Sequence, residues 1–246
     1  MPDGRRPAFY AARPGRWRDW WTLLHPPYTA WHLSYVAIGS ALASHVDGLR
    51  LLATEIAFFC AVGVSAHALD ELHGRPLQTR ISDGALRVAT TAGLSASVAI
   101  GIAGVARVGA ALVPFLVVGP FLVVAYNAEL FGGYVHTDAG FAAAWGSFPL
   151  LTGYVAQART LAVAPVLGAA AAFALSYAQR ALSTPARRLR RQVRGVEGSL
   201  TLKDGTVQPL DEATLLMPLE RALHALSWST VALAAALVTA RLTQGR

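Results

Sequence analysis

Long apolar blocks recur along the chain, several of about 18 residues or more, the length an α-helix needs to cross the core of a bilayer. Seven spans can be drawn, near 29–47, 51–70, 86–106, 109–127, 139–157, 160–179 and 222–240, with short connections everywhere except 180–221. This pattern predicts an all-α, polytopic membrane bundle forming one domain over 1–246, with a polar cap on its cytoplasmic side.

Composition narrows the class. Of 246 residues, 54% are hydrophobic and 14% charged, with mean hydropathy +0.43; a soluble domain carries about a quarter charged residues. A soluble globular enzyme, a disordered chain and a disulfide scaffold are excluded, and Cys60 is the sole cysteine. The net charge of +7 suits anionic lipid headgroups better than nucleic acid.

The basic residues also set the expected orientation. With the N-terminus inside, the inside segments hold Arg5, Arg6, Arg13, Arg16 and Arg18, then Arg75, Arg80 and Arg87, then the basic cluster from Arg180 to Arg221. The outside segments hold only Arg50, Arg107, Arg159, Arg241 and Arg246, so the bias is sixteen to five. This parity puts 67–83, 126–138 and 180–221 together on the cytoplasmic side. Abundant Arg and Ala point to a bacterial plasma membrane, and no cleavable signal peptide is apparent.

Two segments outside the spans have structure of their own. Trp17–Leu24 mixes aromatics with charge and predicts a short interfacial helix, stopped by Pro26-Pro27. Within the cytoplasmic insertion 183–218, Arg187–Arg194 reads as a basic amphipathic stretch lying at an anionic surface. Ser199–Val207 alternates around Asp204-Gly205, which predicts a β-hairpin over the cytoplasmic mouth or a plain connector.

Ionisable residues at membrane depth are costly and mark candidate sites. His67, Asp70 and Glu71 stand at i, i+3 and i+4, so one helix face presents all three, with Asp70 and Glu71 about 100° apart around the helix. Gly74 and Pro76 end that helix, and His73, Arg75 and Arg80 make its rim mixed in charge. A solvated helix end explains this group equally. The second loop, Tyr126–Asp138, offers Glu129, His136 and Asp138 around Gly132-Gly133 and contains no Arg or Lys. A glycine turn with Asp138 as N-cap explains it too. Carboxylates from two such loops suit Mg²⁺, which prefers oxygen and binds phosphates as well. Arg75 and Arg80 suit the remaining phosphate charge. His32, with Trp31 and Tyr35 nearby, and Trp145, Phe148 and Tyr154 in the fifth span are candidate pocket residues, since aromatic faces stabilise a carbocation.

Two acidic loops on one side of a helical membrane protein, each after an even-numbered span, resemble the UbiA superfamily of intramembrane prenyltransferases. The entry His25-Pro26-Pro27-Tyr28-Thr29-Ala30-Trp31, followed by a Gly/Ala-rich span, is similar to the start of those proteins. Against the family pattern N-D-x-x-D-x-x-x-D, Asp70 matches the second Asp. Ala66, His67 and Gly74 stand where Asn, the first Asp and the third Asp are expected. The trailing Arg-Pro is present early, as Arg75-Pro76. The second loop keeps Tyr126, with Glu129 and Asp138 as its only acids, and lacks the usual basic residue.

The resemblance implies up to nine helices and the ionisation of a prenyl diphosphate, with transfer of the prenyl group to a hydrophobic or aromatic acceptor. It implies Mg²⁺ on Asp70, Glu71, Glu129 and Asp138. It places diphosphate on Arg75, Arg80, Asn127 and Tyr126, and gives His67 or His73 the part of ligand or proton acceptor. A terpene cyclase on the same scaffold, a non-catalytic lipid- or partner-binding protein, and a transition-metal site on His67, His73 and His136 are the competing expectations.

Overall fold

The computed structural model describes residues 7–12 and 15–244. Arg5, Arg6, Arg13 and Arg246 of the charge count lie outside the described residues. The chain is 77% helical. Each of the seven expected spans overlaps a helix, although the helix of the first span ends at Ala41, short of 47, and that of the sixth begins at Val163. α1 is Arg16–Leu23 and α2 Pro26–Ala41. α3 runs Gly48–Leu72, with a π-helical stretch at Phe59–Ala66. α4 is Asp83–Val108 and α5 Ala110–Asn127. α6 covers 138–158, with a second π stretch at Ala143–Ser147. α7 is Val163–Gln192 and α8 Glu212–Gln244.

Four of these helices, α3, α4, α5 and α8, are long and apolar enough to cross a membrane. They face outward: of the 26 residues of α4, only Leu86, Gly93 and Val108 are buried. The shorter or more polar α2 and α6 form the centre. α2 buries Trp31, His32, Tyr35 and Val36, and the final stretch of α6, Phe148–Ala158, is buried from Pro149 to Gln157 except at Leu151. A helix enclosed by protein tolerates polar residues that lipid would penalise, which is why hydropathy separates the two groups.

The central pair crosses where both helices carry glycine. A Cβ on Gly39 would lie 1.9 Å from the carbonyl oxygen of Leu150, and one on Gly153 2.2 Å from that of Val36. Small residues at such crossings let backbones touch. Gly146 does the same for α6 against α7, where a Cβ would meet Ala172 O and Ser176 Oγ at 2.6 Å each.

Several local expectations change. Pro26 and Pro27 do not merely stop the interfacial helix; they open α2, because proline lacks only a hydrogen bond that the first turn does not make. Their N-cap, His25, takes a left-handed φ of 46°. Thr137, not Asp138, caps α6, its hydroxyl accepting from Gly140 N at 2.9 Å. The hairpin forms, with β1 Ser199–Thr201 paired antiparallel to β2 Val207–Pro209 and Gly205 at φ 86° in the turn. Both strands are exposed along their length.

Candidate functional site

Because consecutive helices alternate in direction, the C-terminal ends of α3, α5 and α7 meet the N-terminal ends of α2 and α6. This is the end where the sequence places 67–83, 126–138 and 180–221. Arg180 Nε donates to Asp138 Oδ1 at 2.9 Å, with its guanidinium 5.3 Å from the centre of the Phe141 ring. Asp70 lies within electrostatic reach of Arg187, Arg191 and His136.

Adjacent residues Asp70 and Glu71 have opposite environments. Glu71 is fully buried. It accepts from Leu77 N at 2.9 Å, Thr79 N at 2.8 Å and Thr79 Oγ1 at 2.9 Å, so it holds the loop after α3. Arg75 fastens the same loop, bonding Ile81 O at 2.6 Å and pairing with Asp83. Arg80 is exposed, and its backbone N–H ties the loop to Asp19 of α1 at 3.1 Å. Asp70 is half-buried, and no hydrogen bond or ion pair reaches its carboxylate among the described residues.

The remaining predicted ligands are dispersed. Glu129, 64% exposed, is 4.0 Å from His136 Nδ1, and Asp138 is paired with Arg180. His73 is exposed and bonds Leu69 O. Among the described residues, no three His, Cys, Asp or Glu groups come together to hold a metal ion. As placed, the four carboxylates do not form one Mg²⁺ site: Glu71 fastens a loop, Asp138 neutralises Arg180, Glu129 turns to solvent and Asp70 stands apart from all three. Asn127 directs its amide to Val123 O at 2.7 Å.

Imidazoles dominate instead. Nδ1 of His32 faces Trp145 O at 2.9 Å, that of His67 faces Gly63 O at 3.1 Å, and that of His136 faces Tyr126 O at 2.9 Å. A carbonyl only accepts, so each Nδ1 carries a proton, and it is Nε2 that is left as the lone pair of the uncharged ring. The Trp145 carbonyl is open to His32 because Pro149, four residues on, has no N–H to give it. The two π stretches supply this architecture: one ends beside His67, the other contains Trp145. Such distortions concentrate at functional sites.

His25 completes the cluster. Its ring stacks on His67, with centroids 4.2 Å apart, and its Nδ1 is 2.8 Å from the Tyr10 hydroxyl. Its Nε2 is buried without a partner among the described residues, as is the Tyr126 hydroxyl. Burial and the neighbouring His67, Arg191 and Arg187 hold the pKa of His25 well below the ordinary imidazole value. The folded state thus binds fewer protons than the unfolded state once pH falls below about 6.5. Stability is complete above that pH and is lost as acid is added, by up to about 1.4 kcal/mol per pH unit for one group. Tm measured from pH 7.5 to 5 is expected to fall, and His25→Asn, which tolerates the left-handed backbone, to shallow that fall by one proton's worth.

The polar cluster adjoins an apolar cavity. A space of about 670 Å³ between α3, α4, α5 and α6 runs from Asp47 and Arg50 at the opposite end to Val62, Val123 and Trp145. That is within the roughly 300–1,000 Å³ typical of small-molecule sites. Trp145 lines the cavity and also touches the cluster, with its ring 5.7 Å from Tyr126 and 6.4 Å from His32. Of the predicted pocket residues, His32 and Trp145 come together. Tyr154 does not: it packs with Val108 and Leu112 at the far end. Sequence reasoning missed His25, Tyr10 and the inward side of Arg187 and Arg191. The available signal was the recurrence of Ser176, Gln179, Ser183 and Arg187 at three- and four-residue spacing, facing the His25, Tyr28, His32 and Tyr35 stripe of α2.

No protein-family model, curated protein or solved structure matches the chain.

Proposed function

We propose that the chain spans a membrane through seven helices, with its polar end cytoplasmic, and acts as a prenyltransferase-like enzyme of the UbiA type. In this reading a prenyl diphosphate lies with its tail in the apolar cavity and its charged end in the His/Arg/Asp cluster. One observation carries it: Trp145 and Tyr126 join a long oily cavity to a cluster of cations and imidazoles. The positions of all seven helices and the concentration of Arg at one end support the membrane arrangement.

The chemistry rests on the chain's own residues. The bond from the allylic carbon to diphosphate oxygen breaks, and the departing negative charge is met by arginine. The rings of Trp145 and Tyr126 stabilise the allylic cation. The acceptor attacks that carbon, and its proton passes to the unpartnered Asp70 carboxylate or to Nε2 of His67. Pyrophosphate release from prenyl diphosphates, followed with and without an aromatic acceptor, tests this reading and separates transfer from cyclisation. Asp70→Asn is expected to lower release about 100-fold or more, the low end of general acid–base contributions, with Tm unchanged. Full activity in that variant overturns the assignment.

A second reading is favoured by the way Glu71 and Arg75 serve the loop: a protein that binds the same lipid without turning it over. It predicts thermal protection by a prenyl diphosphate and no pyrophosphate.

A further inference from the structure

The arginines at the polar end fall into two kinds. Arg180 has Asp138, and Arg190 grips both oxygens of Glu220. Arg187 and Arg191, one turn apart on α7, have no carboxylate within 4 Å among the described residues. Arg187 donates to Thr184 Oγ1 at 3.3 Å, and Arg191 Nε donates to Pro7 O at 3.1 Å. Both are half-buried. Burial and the nearby Arg180 and Arg191 lower the pKa of Arg187 from its ordinary value. Cations withdrawn from water need a counter-charge, and Asp70 alone, unbonded, does not balance the two.

The groups around them are donors apart from Glu220, whose carboxylate is taken up by Arg190. Tyr10, His25 and Tyr28 line, with Arg187 and Arg191, a small cavity of about 30 Å³. Burial holds the Tyr10 hydroxyl protonated, with its pKa above the ordinary value. When that hydroxyl donates to His25 Nδ1, the ring proton sits on Nε2, the buried nitrogen with no partner among the described residues. Two guanidinium forks, an imidazole N–H and a tyrosine hydroxyl are what a phosphate oxygen cluster binds.

We propose that Arg187 and Arg191, with His25 and Tyr28, form a phosphate site that holds the anionic end of the lipid substrate without a divalent metal. This rests on the function proposed above and names the groups that recognise its substrate. It also accounts for the scattered carboxylates: the charge that a metal would neutralise is met by arginine.

The test uses the full chain in detergent with EDTA. Geranyl diphosphate, geraniol, inorganic pyrophosphate and phosphatidic acid are titrated and binding is read by calorimetry and Tm. The expected result is geranyl diphosphate binding in EDTA that excess Mg²⁺ tightens no more than about threefold. Arg187→Gln and Arg191→Gln are each expected to weaken it about tenfold or more, the loss of one charged hydrogen-bonding group, while the exposed Arg188→Gln leaves it unchanged. Arg187→Lys, which keeps the charge and loses the fork, serves if the glutamine variant misfolds, and is expected to weaken binding by a lesser factor. Binding that disappears in EDTA, or that survives the Arg187 and Arg191 substitutions, overturns the site and leaves the enzymatic reading standing. Pyrophosphate or phosphatidic acid binding as tightly as geranyl diphosphate, with the same arginine dependence, upholds the phosphate site and sinks the prenyl reading. No binding by any of the four overturns both.

Discussion

Glu71→Ala is expected to cost about 3–5 kcal/mol of stability, the scale for emptying a buried, hydrogen-bonded charged position, enough to leave little folded protein. The carboxylate is wholly buried and accepts three hydrogen bonds. Its removal strands the N–H groups of Leu77 and Thr79, both buried. Glu71→Gln keeps one acceptor oxygen and falls between. Yield and Tm in detergent measure this. The neighbouring Asp70→Asn is expected to leave both unchanged, so one step along the chain separates a structural carboxylate from an available one. Equal Tm for Glu71→Ala and the parent protein overturns the assignment.

Gly153→Ala is expected to lower stability by about 3 kcal/mol, at or beyond the usual range for overpacking a tight contact. The added methyl would meet the Val36 carbonyl at 2.2 Å, and the obstruction is backbone, which cannot rotate away. Gly39→Ala meets Leu150 O in the same crossing. Because either methyl parts α2 from α6, the double variant is expected to cost less than the sum of the two. Tm of the two single variants and the double, on one scale, checks both statements.

Helix positions were legible because apolar runs report length and burial in oil directly, and the hairpin because Asp204-Gly205 suits a turn with positive φ. The same runs could not say which helices lie inside: α2 and α6 are recognisable as central only from their glycine-mediated contact. Asp70 and Glu71 were legible as a pair pointing about 100° apart. Which of them looked inward depended on amides six and eight residues downstream, reached only through the folded loop. Arg187–Arg194 reads as a surface stretch on its own helix periodicity. Against α2, Arg187 and Arg191 face the candidate site while Arg190 turns to Glu220. Trp145 and Tyr154 looked like pocket partners, yet nine residues of helix separate them by about 13 Å, so one borders the cluster and the other the opposite end.

The placement of α2 and α6 at the centre bears on biogenesis. α2 packs most closely against α6 and α8, elements encoded more than a hundred residues downstream. As the chain leaves the ribosome, α2 emerges with His32, Ser34 and Tyr35 facing neighbours that have not yet been synthesised. In the proposed seven-helix arrangement, α2 therefore lacks its enclosing partners until α8 is made.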